Sequence, residues 1–209
     1  MDYNEKQLQI LSISESLFAQ NGYEGTSVRD IAEKAGVNIA MISYYFGSKE
    51  KLMEALFEQR TQYIKVRVET LLQNKTLSPL AKMEALIEEY IDKLMDKQQF
   101  YKIMICEQVI NKNPVILHLI SDMKKKNMEE ISRLIEHGQQ KNVFKEKIDI
   151  FLLMNTLVGS ITQMMIGVEY YKEQNNLQSL AKEQSDTIIK NNLNTHLKFL
   201  FKALLNNEA

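Results

Sequence analysis

The sequence predicts an all-α fold. Only two prolines and seven glycines interrupt its 209 residues, apolar residues recur at three- and four-residue spacing along most of its length, and capping residues stand where those periodic stretches begin. Hydrophobic residues make up 44% and charged residues 25%, the balance of a chain that buries a core rather than one that stays disordered. This length has room for a small domain fused to a larger one.

The first helix is expected over residues 4–21, with Leu8, Leu11, Ser14, Leu17 and Phe18 as its inner stripe and Gly22 at a left-handed terminal position. Ser27 and Asp30 stand at capping-box spacing, so a short helix opens at Val28 and runs to Ala35. Gly36 breaks it, Val37 turns into the core, and Asn38 caps a third helix ending at Phe46. Gly47 and Ser48 stop that helix, and Ser48 caps a fourth over 49–73, about 37 Å long at 1.5 Å per residue. Its Leu52, Leu56 and Phe57 face the first three helices, whereas Ile64, Val68, Leu71 and Leu72 enter a second core. The expected architecture is a three-helix N-terminal domain over 4–64, joined by this long helix to a helical bundle over 75–209.

Both prolines fall at helix starts. Ser78-Pro79 and Asn113-Pro114 each place a capping residue before a proline at the first helical position, which predicts helices over 79–97 and 114–137. A shorter helix over 100–110 lies between them, and Gly138 ends the second. Two long helices close the chain, over 149–172 and 186–205. In the first, Phe151, Met154, Val158, Ile161, Met165 and Val168 form one apolar stripe, and Leu153, Leu157 and Met164 help form another. In the last, Ile189, Leu193, Leu197, Leu200 and Leu204 form a stripe that Phe201 and Leu205 widen. A small bundle covers one face of each helix but hardly both, so a homodimer interface is expected there, through Val158, Ile161, Met165, Leu193, Leu197 and Leu200. Gly159, Ser160 and Gly167 would permit close helix approach.

Enzyme chemistry has no evident seat. His118, His137 and His196 are scattered without metal-ligand spacing. There is no phosphate-cradling glycine loop and no nucleophile elbow. Neither a metal nor a cofactor is expected. Cys106 is the single cysteine; it reads as a buried structural thiol and suits a reducing, cytosolic setting. No apolar run approaches the roughly 18–20 residues that span a bilayer, and the N-terminus lacks the pattern of an export signal. No membrane partner is expected.

Residues 27–46 have the form of a helix-turn-helix, in which the second helix enters the DNA major groove and apolar residues lock the pair. Ile31, Ala32, Val37, Ile42 and Phe46 supply that lock. Thr26-Ser27-Val28-Arg29-Asp30-Ile31-Ala32-Glu33-Lys34-Ala35-Gly36-Val37, followed by Tyr44-Tyr45-Phe46-Gly47-Ser48-Lys49-Glu50-Lys51-Leu52, resembles the DNA-binding domain of the tetracycline-repressor (TetR) family over about residues 4–64. The resemblance implies homodimers on palindromic double-stranded operators, usually repressors released by a small ligand. It also implies phosphate-binding positions at Ser27 and Lys49, a base or phosphate contact at Arg29, and groove-facing positions at Ile39, Ala40, Met41, Ser43 and Tyr44, on a helix opened by Asn38. Two residues depart from the family pattern: many members have glycine at Ala40 and tyrosine at Ser43, which puts the usual tyrosine–phosphate contact in doubt.

The recognition helix carries no charged side chain, so it would read bases through apolar contact, hydroxyls and amides. Phe46 and Tyr45 read as core aromatics, Tyr44 as a groove residue and Lys51 as a solvated lysine; pairing of Arg29 with Asp30 or Glu33 is the alternative at that position. Net charge is −1, and residues 1–60 hold six basic against nine acidic groups, an unusual deficit for a DNA-binding domain. Five of those acids (Asp2, Glu5, Glu15, Glu54 and Glu58) lie outside residues 24–51, on helices that need not touch DNA.

In the bundle Met83, Tyr90, Phe100, Met104, Phe151, Met154 and Met164 recur at helical spacing. Ordinary core packing accounts for any one of them; as a set, with Glu107 as the one charge among them, they could line an adaptable pocket for a small, largely apolar effector. The alternative function is a helical-bundle enzyme or adaptor carrying a helix-turn-helix module.

Overall fold

The computed structural model describes residues 3–61, 63–110 and 113–207, and every regular element among them is a helix. In chain order these are α1 (Glu5–Asn21), α2 (Val28–Ala35), α3 (Ile39–Phe46), α4 (Lys49–Thr61), α5 (Tyr63–Gln73), α6 (Pro79–Asp96), α7 (Gln98–Ile110), α8 (Pro114–Gln140), α9 (Ile150–Ile166), α10 (Val168–Gln174) and α11 (Lys182–Leu205). The helix expected over 49–73 is described as α4 and α5; Gln62, between them, lies outside the described residues. The chain forms two compact units, Met1–Tyr63 with Gln99–Lys125 and Ile64–Gln98 with Lys126–Ala209. Residues 99–125, which the sequence places in the C-terminal bundle, therefore pack with the N-terminal helices.

In the first unit Leu11 and Phe18 of α1, Ile31 and Ala32 of α2, Ile42 of α3 and Leu52, Leu56 and Phe57 of α4 share one core with Phe100, Ile103 and Met104 of α7 and Ile116 and Ile120 of α8. The Phe57 and Phe100 rings meet edge to face with centroids 4.9 Å apart. The expected stripe of α1 is rotated: Leu8 is 41% exposed, whereas Ile10 is fully buried. Glu15, also buried on α1, bonds the Arg60 guanidinium, with Nε at 2.8 Å, and that pairing makes its burial tolerable. Gly22 has φ 75° and ψ 167°, so it takes a glycine-favouring positive φ but not the left-handed helical conformation expected.

In the second unit α9 and α11 pack against α6 and against each other, burying Met83, Leu86, Ile87 and Ile91. Ser78 caps α6 by accepting from the Ala81 amide at 3.1 Å. Three sequence boundaries move. First, α8 runs through Gly138 instead of stopping there, because Gly138 seats the buried Phe144 ring: a Cβ would fall 2.0 Å from Phe144 Cδ2. Second, the helix expected over 149–172 is two helices, α9 and α10, bent by 77° where Gly167 separates them. Third, α11 begins at Lys182 rather than Asp186, and Ser185 within its first turn donates to the Lys182 carbonyl at 2.9 Å. No single helix among the described residues is long and apolar enough to cross a membrane.

Lys82 is only 2% exposed. Its ammonium donates to the Leu72 carbonyl at 3.3 Å and lies 3.3 Å from His137 Nε2. The ammonium can only donate, so Nε2 accepts and the His137 ring is neutral. Burial, then Lys82, then Lys141 hold His137 below the ordinary histidine pKa. Because the folded pKa is depressed, the stability this contact contributes is present above about pH 6.5, the unfolded value, and is lost as pH falls through the folded one. Thermal melts at pH 7.5 and pH 5 should show wild type losing more stability on acidification than His137→Gln; equal losses would remove this role for His137.

Candidate nucleic-acid interface

The helix-turn-helix is built from its caps inward. Ser27 Oγ accepts from the Asp30 amide at 3.1 Å, and the Ser27 amide donates to Asp30 Oδ2 at 2.8 Å, closing the capping box. Hydrogen bonding to the carboxyl from Ser27, first its backbone N–H and then its side chain, holds Asp30 below the usual carboxylate range. Gly36 ends α2 in the left-handed conformation (φ 62°, ψ 37°), and the Asn38 side chain opens α3 by accepting from the Ala40 amide at 2.9 Å. Any other L residue at Gly36 would be strained in this turn.

With Ile42 and Phe46 turned inward, α3 leaves Ile39, Ala40, Ser43 and Tyr44 outside. Positions 40, 43 and 44 share one helical face, and Tyr44 is 84% exposed, far more than a core aromatic would be. Tyr45 is half-buried, with its ring edge-on to Tyr44 and Phe46. Met41 is half-buried, at the margin of the exposed face. Ser27, Arg29 and Asn38 are exposed beside it.

Lys49, expected at a phosphate contact, is held by the protein's own backbone in this structure. Its ammonium donates to the carbonyls of Tyr23 (3.0 Å) and Thr26 (3.1 Å) and sits 4.1 Å from the centroid of the Tyr23 ring. It therefore staples the loop between α1 and α2 to the start of α4. The buried Tyr23 hydroxyl is pushed above its ordinary pKa by burial, then by Glu50, while Glu50 is held low, first by its own backbone amide and then by Ser48. Ser48 caps α4 as expected, accepting from the Lys51 amide at 3.1 Å. Nothing in the sequence signals the carbonyls that receive Lys49, because acceptors of that kind belong to every residue.

Residues 10–56 match the bacterial regulatory proteins of the tetR family, and residues 79–188 match the tetracyclin repressor-like C-terminal domain. The chain belongs to the tetR family. Its tetR relatives include the probable HTH-type transcriptional regulator YttP of Bacillus subtilis (strain 168), 30% identical over 137 residues, which are 65% of this chain and 66% of that one. Its fold is shared with the ketosteroid transcriptional regulator KstR2 of Mycobacterium tuberculosis (TM-score 0.68, 18% identity, 99% of this chain and 98% of that one). It is shared also with FadR from Bacillus subtilis in complex with stearoyl-CoA (TM-score 0.64, 22% identity, 91% of this chain and 96% of that one). As a member of the tetR family the chain is a DNA-binding transcriptional regulator, and α2 and α3 are its helix-turn-helix.

The other expected site residues divide between the two units. Of the pocket set, Phe100, Met104 and Glu107 are buried in the first unit, and Tyr90 and Met154 in the second. Met164 is half-buried, and Phe151 is exposed. Of the interface set, Ile161, Leu193 and Leu197 are buried within the chain's own second unit, with Val158, Met165 and Leu200 at the margins. On α9 the buried residues Met154 and Ile161 come from one expected stripe and Leu153 and Leu157 from the other, so the chain's own packing draws on both. The exposed residues of these helices include Leu152, Gly159 and Ile166 on α9, seven apart and hence on one face, Tyr170 on α10 and Phe199 on α11. A surface depression missed by sequence reasoning is lined by Leu180, Glu183, Gln184, Thr187 and Ile188. Cys106, expected buried, is exposed on α7.

Lys49→Met should lower the stability of the first unit by about 1.5–3 kcal/mol, the range for hydrogen bonds to a charged group, whereas Arg29→Ala should leave it unchanged. Chemical denaturation of both variants checks this, and a Lys49→Met protein as stable as wild type would return Lys49 to the phosphate role.

Proposed function

We propose that this regulator is a homodimeric repressor that acts in the cytoplasm on a palindromic operator and is released by a small, largely apolar molecule. The observation that carries the operator contact is the exposed, uncharged face of α3. Ile39, Ala40 and Tyr44 meet base edges and thymine methyls there, Ser43 supplies a hydroxyl, and Met41 borders them. Ser27, Arg29 and Asn38 flank this face and contact phosphates, with the amides at the start of α2 favouring an anion. Gene regulation rather than catalysis is supported by the relatives, which are regulators.

Binding-site selection should then separate reading from positioning. Tyr44→Ala should change base preference at a cost of about 1–3 kcal/mol, and Arg29→Ala should weaken all sequences alike with a salt slope smaller by about one. Unchanged preference in Tyr44→Ala would sink the groove assignment.

Dimerisation is supported by the apolar residues that the chain's own packing leaves out. Phe199 is 74% exposed on α11, and Leu152, Gly159 and Ile166 give α9 an outer row. Two copies joined through these helices make a four-helix, two-fold interface. Sedimentation should show wild-type dimers at micromolar concentration and monomers for Leu152→Glu/Phe199→Glu. A monomeric wild type would remove the palindrome with the dimer.

An apolar effector is supported by the company the fold keeps, which includes a ketosteroid regulator and a regulator bound to stearoyl-CoA. Stearoyl-CoA is the first probe to titrate against the protein–operator complex. A coupling of about 1–3 kcal/mol would weaken operator binding roughly 5- to 150-fold, and by linkage the operator would weaken the probe equally. Saturable binding of the probe with no change in operator affinity would refute release by this class of ligand.

A further inference from the structure

The loop that leads from α1 into the capping box of α2 is held from three sides. Thr26 Oγ1 donates back to the carbonyls of Leu17 (3.2 Å) and Gly22 (2.9 Å). Lys49 takes the Tyr23 and Thr26 carbonyls. The third side comes from residues 99–125. Glu107 of α7, 6% exposed, accepts from the Tyr23 amide through Oε1 at 3.4 Å, and Asn113 Nδ2 donates to Glu24 Oε1 at 2.9 Å. Asn113 is itself fixed, since its Oδ1 accepts from the Val115 and Ile116 amides (3.0 and 3.2 Å) at the start of α8.

Two successive loop residues are thus gripped by one segment, three positions before the residue that caps α2. That segment matches the C-terminal domain of the family by sequence yet packs in the unit that carries α2 and α3. The loop also contains Gly22 and Gly25, which leave it many conformations when nothing holds it.

We propose that Glu107 and Asn113 are positioning residues, a clamp through which residues 99–125 hold the α1–α2 loop and thereby set how α2 and α3 meet DNA. This rests on the operator-binding reading and adds the contact by which the C-terminal sequence acts on it. A pre-organised loop binds without first being ordered, and anything that displaces α7 lets the loop go.

The experiment uses the full chain, a duplex that the wild type selects from a random pool, and hydrogen exchange read by mass spectrometry. Glu107→Ala/Asn113→Asp cuts both contacts while keeping an acceptor to cap α8. Without DNA, this variant should exchange the amides of residues 22–27 faster than wild type while still melting cooperatively. With DNA, the wild type should gain protection in α2, α3 and α7. The variant should gain it in α2 and α3 alone and bind about tenfold more weakly, the scale of one or two lost hydrogen bonds. Glu107→Gln keeps the acceptor oxygen and should restore wild-type exchange in an otherwise unaltered chain. Wild-type exchange in the double variant, protection of α7 that survives the cut, or a Glu107→Gln protein whose residues 22–27 exchange as fast as those of the double variant would each overturn the clamp. Recovery of no duplex in the selection would instead overturn the operator reading, and the exchange measured without DNA would still decide whether the clamp exists.

Discussion

Helices of eight residues are too short to persist alone in water, and α2 and α3 are both of that length. The DNA-reading surface exists only because Ile31, Ala32, Ile42 and Phe46 are driven together against Leu11, Phe18, Leu52 and Leu56, with Gly36 supplying the backbone angle between the two helices. The caps at Ser27 and Asn38 then satisfy amides that such short helices leave open in larger proportion than long ones do. Once that lock is made, the outward positions of α3 are determined, and Tyr44 and Ser43 stand on its exposed face.

The acidic surplus of the N-terminal unit is spent largely on its own structure. Asp30 binds the Ser27 amide, Glu50 lies against its own backbone amide and Ser48, and Glu15 is paired with Arg60. These carboxylates support helix starts and a buried ion pair, so net charge is a poor guide to the field at the surface of α3. The same economy takes Lys49 out of the set of free cations. What remains exposed on α3 is a face of uncharged side chains, with a hydroxyl at Ser43 and at Tyr44.

In the second unit the governing fact is that α9 and α11 are apolar on two sides. Helix α6 packs against both, and Leu153, Leu157 and Ile161 on α9 and Leu193, Leu197 and Phe201 on α11 are buried. The buried residues of α9 come from both of its expected stripes, and Leu152 and Phe199, outside the expected stripes, are left exposed. Gly138 and Gly167 follow the same logic of packing over local propensity: one is kept for the Phe144 ring inside a helix, the other permits a sharp bend between helices.

The helical class, nearly all helix starts, the capping box, the Gly36 turn and the lock residues of the helix-turn-helix were legible in the sequence, because each is decided by neighbours within about four positions along the chain. Tyr44 as an outward residue was legible too, since Ile42 and Phe46 claim the opposite face. What local spacing left undecided was which apolar residues of α9 and α11 turn inward, where Gly138 and Gly167 put the helix limits, and what each long polar side chain touches. Leu197 went to the core and Phe199 to solvent, Lys49 went to two carbonyls, and residues 99–125 joined the N-terminal unit. Those outcomes depend on groups from 23 positions away, as between Lys49 and Thr26, to 89, as between Asn113 and Glu24. Only the assembled core brings such groups within hydrogen-bond reach, so tertiary structure alone could decide them.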